Sequence, residues 1–128
     1  PEFAGRKVLL VEDNALNAEI AIELLQTIGL VVDWAENGKL GVERYAASKP
    51  DEYFAIFMDM QMPVMDGVTA TKQIRQMDRP DHDIPIFAMT ANTFASDRRS
   101  CNDAGMTGYI AKPVSVKNIA DALTVIEE

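Results

Sequence analysis

The sequence predicts an α/β fold, a five-stranded parallel sheet layered between helices. Three observations predict it. Short apolar runs alternate with helical patterns five times along the 128 residues. Cap and turn residues separate them, among them Asn14, Gly29, Asn37-Gly38 and Asp66-Gly67. Four of the strand-like runs end in polar groups, at Glu12-Asp13, Asp59, Thr90 and Lys112.

The elements follow in order. "KVLLVED" is an apolar strand that runs into two acids. "NALNAEIAIELLQTIG" is a helix: Asn14 can cap it, Leu16, Ile20, Leu24 and Ile28 recur every four residues, and Gly29 stops it. "LVVDWAE" alternates and closes at Asn37-Gly38, and "KLGVERYAAS" reads as a weaker helix. "YFAIFMD" is the third strand's counterpart of the first, again ending on an acid. Pro63 breaks the chain, Asp66 can cap, and "GVTATKQIRQM" is helical. "IPIFAMT" is a fourth strand, "ANTFASDRRSCNDAG" a helix with a thin apolar stripe, and "GYIAKP" a short fifth strand. "VSVKNIADALTVIEE" closes the chain as a helix with Val116, Ile119, Ala120, Leu123 and Ile126 on one face.

Strand composition suggests the order. The first, third and fourth strands are continuous apolar runs, as central parallel strands must be. The second and fifth are shorter or more mixed, as edges can be. The flavodoxin-like order 2-1-3-4-5 satisfies both, giving a (βα)5 three-layer sandwich. Its switch point lies between strands one and three, where ligands bind beyond the carboxyl ends.

Composition bounds the function. The hydrophobic fraction is 48% and the charged fraction 25%, values of an ordinary globular chain. Residues 1–5 read as a cloning scar or linker, and 6–128 as one domain. A net charge of −8 argues against nucleic acid as a partner. No apolar run is long enough to span a bilayer, so no direct membrane partner is expected. A single cysteine, Cys101, excludes an internal disulfide and fits a reducing, cytoplasmic setting. His82 lies in a polar loop, "DRPDHDIP", and is not expected to carry phosphate.

A parallel sheet brings the strand ends to one edge. Glu12, Asp13 and Asp59 then converge, with the Thr90 hydroxyl and the Lys112 amine nearby. Asp59 alone could be a cap, a ligand or a nucleophile. Asp66 is better placed to cap. Crowded carboxylates repel, and a divalent cation resolves the conflict. Oxygen ligands without His or Cys select Mg2+ or Mn2+ over zinc. Mg2+ keeps positions for water and phosphate oxygens. Lys112 and Thr90 could take further phosphoryl oxygens, and an aspartate can become an aspartyl-phosphate.

Four stretches, "LLVEDNALN", "FMDMQMPVMDG", "AMTAN" and "GYIAKP", resemble the receiver domain of two-component response regulators. "VEDNALN" and "MDMQMPVMDG" look most like receivers fused to hybrid sensor histidine kinases. The resemblance implies that Asp59 is the phosphoacceptor, fed from a phosphohistidine on a histidine kinase or a histidine phosphotransfer protein. It implies that Glu12 and Asp13 are the acidic pair, that Asp13 and Asp59 bind Mg2+, and that the Gln61 backbone carbonyl completes the protein ligands. Thr90 and Tyr109 match the switch pair and Lys112 the phosphate-binding lysine. Gln61 and Asn92 match positions that tune water's access to the phosphoryl group. The Lys112-Pro113 bond is expected to be cis. Such a domain is not a conventional enzyme. It catalyses its own phosphorylation and dephosphorylation, and it changes the surface of its fourth helix, fifth strand and fifth helix.

Three rivals stand beside this expectation. A phosphatase using Asp59 as transient nucleophile is one, but haloacid-dehalogenase-type phosphatases carry a second Asp two residues on, where this chain has Gln61. A receiver that only scaffolds is the second, and the full set of pocket residues argues against it. A flavodoxin proper lacks support, since no phosphate-cradling loop follows the first strand.

Overall fold

The computed structural model describes residues 4–60, 65–90, 99, 103–111 and 115–127. Their elements are β1 (Lys7–Val11), α1 (Ala15–Ile28), β2 (Val31–Ala35), α2 (Gly38–Ala47), β3 (Ala55–Asp59), α3 (Gly67–Arg75), β4 (Ile86–Thr90), β5 (Gly108–Ala111) and α4 (Val116–Glu127). Most of the helix expected over 91–105 falls outside the described residues, so α4 is here the C-terminal helix. Gln61, Asn92, Cys101, Lys112 and Pro113 also lie outside them, as does the side chain of Ile126.

Local chemistry sets the boundaries. The Asn14 side chain accepts from the Asn17 N–H at 2.9 Å and starts α1. Gly29 ends it at φ 104°, a left-handed conformation that glycine adopts at no steric cost. Asn37 accepts from the Leu40 N–H at 2.9 Å to start α2, and Asp66 from the Thr69 N–H at 2.8 Å to start α3. Ser115 does the same for Asn118 at α4, at 3.1 Å.

The five strands form one parallel sheet in the order β2-β1-β3-β4-β5, as the apolar runs imply. Its registers fix the upper edge. Val11 lies opposite Ala35 on one side and Met58 on the other. Asp59 lies opposite Met89, and Thr90 opposite Ala111. The carboxyl ends of β1, β3 and β4 are therefore level.

Side chains alternate between the two faces. Val8, Leu10, Phe57, Phe87 and Ile110 pack with Ala18, Ala21 and Leu25 of α1 and with Ile119 and Leu123 of α4. Leu9, Val11, Ile56, Met58 and Ala88 pack with Tyr45 of α2 and with Ala70 and Ile74 of α3. Burying each large aliphatic or aromatic among them contributes about 1.5–3 kcal/mol before entropy is counted.

Three residues of the apolar helical stripes, Leu16, Ile20 and Val116, are exposed. Leu16 is 64% exposed and Ile20 46%. A spacing of four residues drifts by about 40° per step on an α-helix. Leu24 and Ile28 are thus half-buried while Leu16 and Ile20 turn to solvent, and the small Ala18 and Ala21 face the sheet with Leu25. Val116 is also exposed, because the buried stripe of α4 runs through Ile119 and Leu123 and Val116 sits in the first turn, off its end.

Opposite the upper edge, charged clasps tie the connections. Lys7 Nζ lies 2.8 Å from Glu52 and 3.3 Å from Asp33, and the Tyr53 hydroxyl donates to Asp33 at 2.7 Å. Arg79 lies over the Tyr45 ring at 4.3 Å and pairs with Asp81 at 2.9 Å.

Candidate functional site

Three strands deliver the site. β1 ends at Val11, so Glu12 and Asp13 emerge at the sheet edge before the Asn14 cap. β3 ends on Asp59 and β4 on Thr90. Glu12 is 2% exposed, Asp59 4% and Thr90 8%, whereas Asp13 is open to solvent. Each of Glu12, Asp13 and Asp59 offers a carboxylate oxygen, and these atoms lie within 4.8 Å of one another. Two buried carboxylates beside a third repel, and burial takes part of their hydration away. A hard divalent cation fits this donor set, which is all oxygen and carries net negative charge.

The backbone around the acids is held from two sides. The Glu12 N–H donates to the Ala35 carbonyl at 3.1 Å, and the Trp34 indole Nε1 donates to the Glu12 carbonyl at 2.8 Å. Beyond Asp59, the Met60 N–H donates to the Met89 carbonyl at 3.2 Å, and the Gly67 N–H to the Met60 carbonyl at 3.3 Å. The start of α3 is thereby pressed against the end of β3. A Cβ on Gly67 would fall 2.4 Å from the Asp59 carbonyl oxygen.

The structure brings Glu12, Asp13 and Asp59 together and sets Thr90 at the end of the next strand. Tyr109 lies elsewhere, in β5 opposite Ala88, and is 39% exposed. With Asn118 and Asp121 it lines a shallow groove between β5 and α4. Asn14 and Asp66 are caps, as expected. Gln61 and Lys112 lie outside the described residues. Sequence reasoning missed Trp34 and gave Gly67 only a helix start. The Asp-Gly pair signals the turn at Gly67, but nothing local signals that Trp34 reaches Glu12.

The comparisons with known proteins agree with this geometry. The model of the response regulator receiver domain matches residues 8–124. This chain belongs to the response regulator receiver domain family. Hybrid signal transduction histidine kinase L of Dictyostelium discoideum is 39% identical over 119 residues, a match that takes in 91% of this receiver domain and 7% of that kinase. The receiver domain thus spans a small part of such a relative. The receiver domain of sensor histidine kinase PA1611 from Pseudomonas aeruginosa PAO1, with magnesium ion coordinated in its active site cleft, is 36% identical. It superposes with a TM-score of 0.85 over 95% of this chain and 97% of its own. A co-crystal structure of the Saccharomyces cerevisiae histidine phosphotransfer protein Ypd1 and the receiver domain of its downstream response regulator Ssk1 matches at 29% identity. Its TM-score is 0.82, over 95% of this chain and 88% of that one. As a receiver domain of the phosphorelay type, the chain has the expected fold, five parallel strands in the order 2-1-3-4-5. Among its described residues no helix is long and apolar enough to cross a membrane.

Proposed function

We propose that this receiver domain accepts a phosphoryl group on Asp59 from a phosphohistidine. The observation that carries the reading is the meeting of buried Asp59 with Glu12 and Asp13, their oxygens within 4.8 Å. Glu12, Asp13 and Asp59 would hold Mg2+, with the Gln61 carbonyl as a further protein ligand. When bound, the ion supplies neutralisation of these carboxylates and of the transferring phosphoryl oxygens.

An Asp59 carboxylate oxygen forms the new bond to phosphorus. The phosphorus–nitrogen bond of the donor breaks, and its electron pair stays on the imidazole nitrogen. The donor's other ring nitrogen keeps its proton, so a neutral imidazole leaves. Lys112 and the Thr90 hydroxyl take phosphoryl oxygens. The acyl phosphate carries a charge of about −2 at neutral pH, about one negative charge more than the Asp59 carboxylate it replaces. It draws Thr90 inward, and Tyr109, half exposed beside α4, moves with it. The surface of the 91–105 segment, β5 and α4 then changes for partners to read.

The donor is a histidine kinase or a histidine phosphotransfer protein. Leu16 and Ile20 support this, since α1 carries both to solvent from a helix that starts two residues after Asp13. An apolar contact there would seat a donor with its histidine over the acids. The place of action is the cytoplasm, with residues 6–128 as one module of a longer hybrid kinase.

Labelling tests the reading. A phosphohistidine donor should transfer an acid-stable, base-labile phosphoryl group to the wild type in Mg2+, and none after chelation. Asp59→Asn should take none. Full labelling of that variant would move the acceptor elsewhere.

A further inference from the structure

We propose that Trp34 is a positioning residue for the acidic site, acting through the peptide bond that joins Glu12 to Asp13. The inference rests on the metal reading above and adds a residue to it.

Trp34 is the sole tryptophan of the chain, 22 positions beyond Glu12. It sits in β2, opposite Leu10 of β1, with its ring half-buried against the cluster that includes Ala18 and Leu25 of α1. Its Nε1–H reaches past the carboxyl end of β1 and donates to the Glu12 carbonyl at 2.8 Å. An indole nitrogen can only donate, so this bond has one direction. The next residue of the same strand, Ala35, accepts from the Glu12 N–H at 3.1 Å. Strand β2 therefore grips both polar groups of the Glu12 backbone.

That grip falls where it matters. The Glu12 carbonyl belongs to the peptide unit between the two acids, so fixing its plane fixes the direction in which Asp13 leaves. Asp13 lies past the end of β1, is exposed, and precedes the Asn14 cap. The ladder no longer holds it there. The Trp34 bond on one side and the Asn14 cap on the other define its place beside Glu12 and Asp59. A phenylalanine could fill much of the ring's space yet would leave the carbonyl without this donor. Groups hydrogen-bonded to a metal's direct ligands typically change its affinity about ten- to a hundredfold, and Trp34, which acts through the backbone between two ligands, should change it less.

The test separates the N–H from the ring. β-(3-Benzothienyl)alanine at position 34 keeps the shape of tryptophan and lacks the N–H. Its far-ultraviolet circular dichroism and urea midpoint should stay near those of the wild type. Its dissociation constant for Mg2+, measured by calorimetry, should rise about two- to tenfold. Trp34→Phe should move affinity the same way. In the wild type, Trp34 fluorescence should change on Mg2+ addition and saturate with the calorimetric constant. Equal Mg2+ affinity for the isostere and the wild type would overturn the role of Trp34 and leave the metal site standing. A wild type that binds no Mg2+ would overturn the metal reading, and this inference with it.

Discussion

Gly67 stands against the backbone of Asp59 so closely that a Cβ on it would fall 2.4 Å from the Asp59 carbonyl oxygen and 3.1 Å from the Met60 Cα. The contact joins two functions. Asp66, one residue earlier, caps α3, and Asp59 presents its carboxylate to Glu12 and Asp13. Gly67→Ala must push the helix start away from the strand end. The variant should lose about 1–3 kcal/mol of unfolding free energy, the usual cost of forcing atoms into a packed site. Urea denaturation would read this loss, and Mg2+ titration should show weaker binding in the fraction that remains folded.

The acids themselves set a second expectation, with two opposite signs. Asp13→Asn removes one negative charge from the cluster. Without metal it should raise the melting temperature, since it relieves repulsion toward buried Glu12 and Asp59. With Mg2+ present it should weaken binding by about tenfold or more, because loss of even an indirect ligand partner costs that much. Thermal melts in chelator and in saturating Mg2+ would show the two shifts crossing.

The Arg79–Asp81 clasp predicts a pH dependence remote from the site. Burial works to raise the Asp81 pKa, but the Arg79 guanidinium and the Asp51 N–H, at 3.0 Å, outweigh it and hold it below the ordinary carboxylate value. A carboxylate with a depressed folded pKa adds stability above its unfolded pKa and loses it as pH falls through the folded one. Asp81→Asn should therefore cost about 1.5–3 kcal/mol at neutral pH, as for a hydrogen bond to a charged group. The gap between variant and wild type should close as pH falls through the lowered folded pKa of Asp81, where the wild-type carboxyl is also protonated. Urea unfolding across pH measures it.

Leu16 and Ile20 give a prediction about the donor. Neither belongs to the core clusters, so replacing both by serine should cost no more than about 1 kcal/mol. Transfer from a protein phosphohistidine donor should fall about tenfold. Labelling by acetyl phosphate, which needs no docking surface, should be unchanged. Equal losses with both donors would place these residues in the chemistry rather than in docking.

The same two residues mark where the sequence stops being legible. Aliphatic periodicity identifies a helix well, but the stripe through Leu16, Ile20, Leu24 and Ile28 drifts around α1, and the true inner face uses alanines that any scale ranks as weakly apolar. Strand order was readable because continuous apolar runs such as "AIFM" fit strands covered by helices on both faces. Glu12, Asp13 and Asp59 were readable because a parallel sheet must bring its strand ends together. The reach of Trp34 to the Glu12 carbonyl was not, since a long-range side-chain hydrogen bond leaves no local pattern. The closeness of Gly67 to Asp59 was hidden for a similar reason: the Asp-Gly pair announces a turn, not what the turn packs against.

The central claim is that Asp59 carries the phosphoryl group, and chemical trapping tests it most directly. Borohydride reduces an aspartyl-phosphate to homoserine, which survives proteolysis and can be located by mass spectrometry. After incubation with a phosphohistidine donor and Mg2+, homoserine should appear at position 59 alone, and its yield should vanish when Mg2+ is chelated. Homoserine at position 13 or 66, or undiminished label with position 59 still aspartate, would contradict the account.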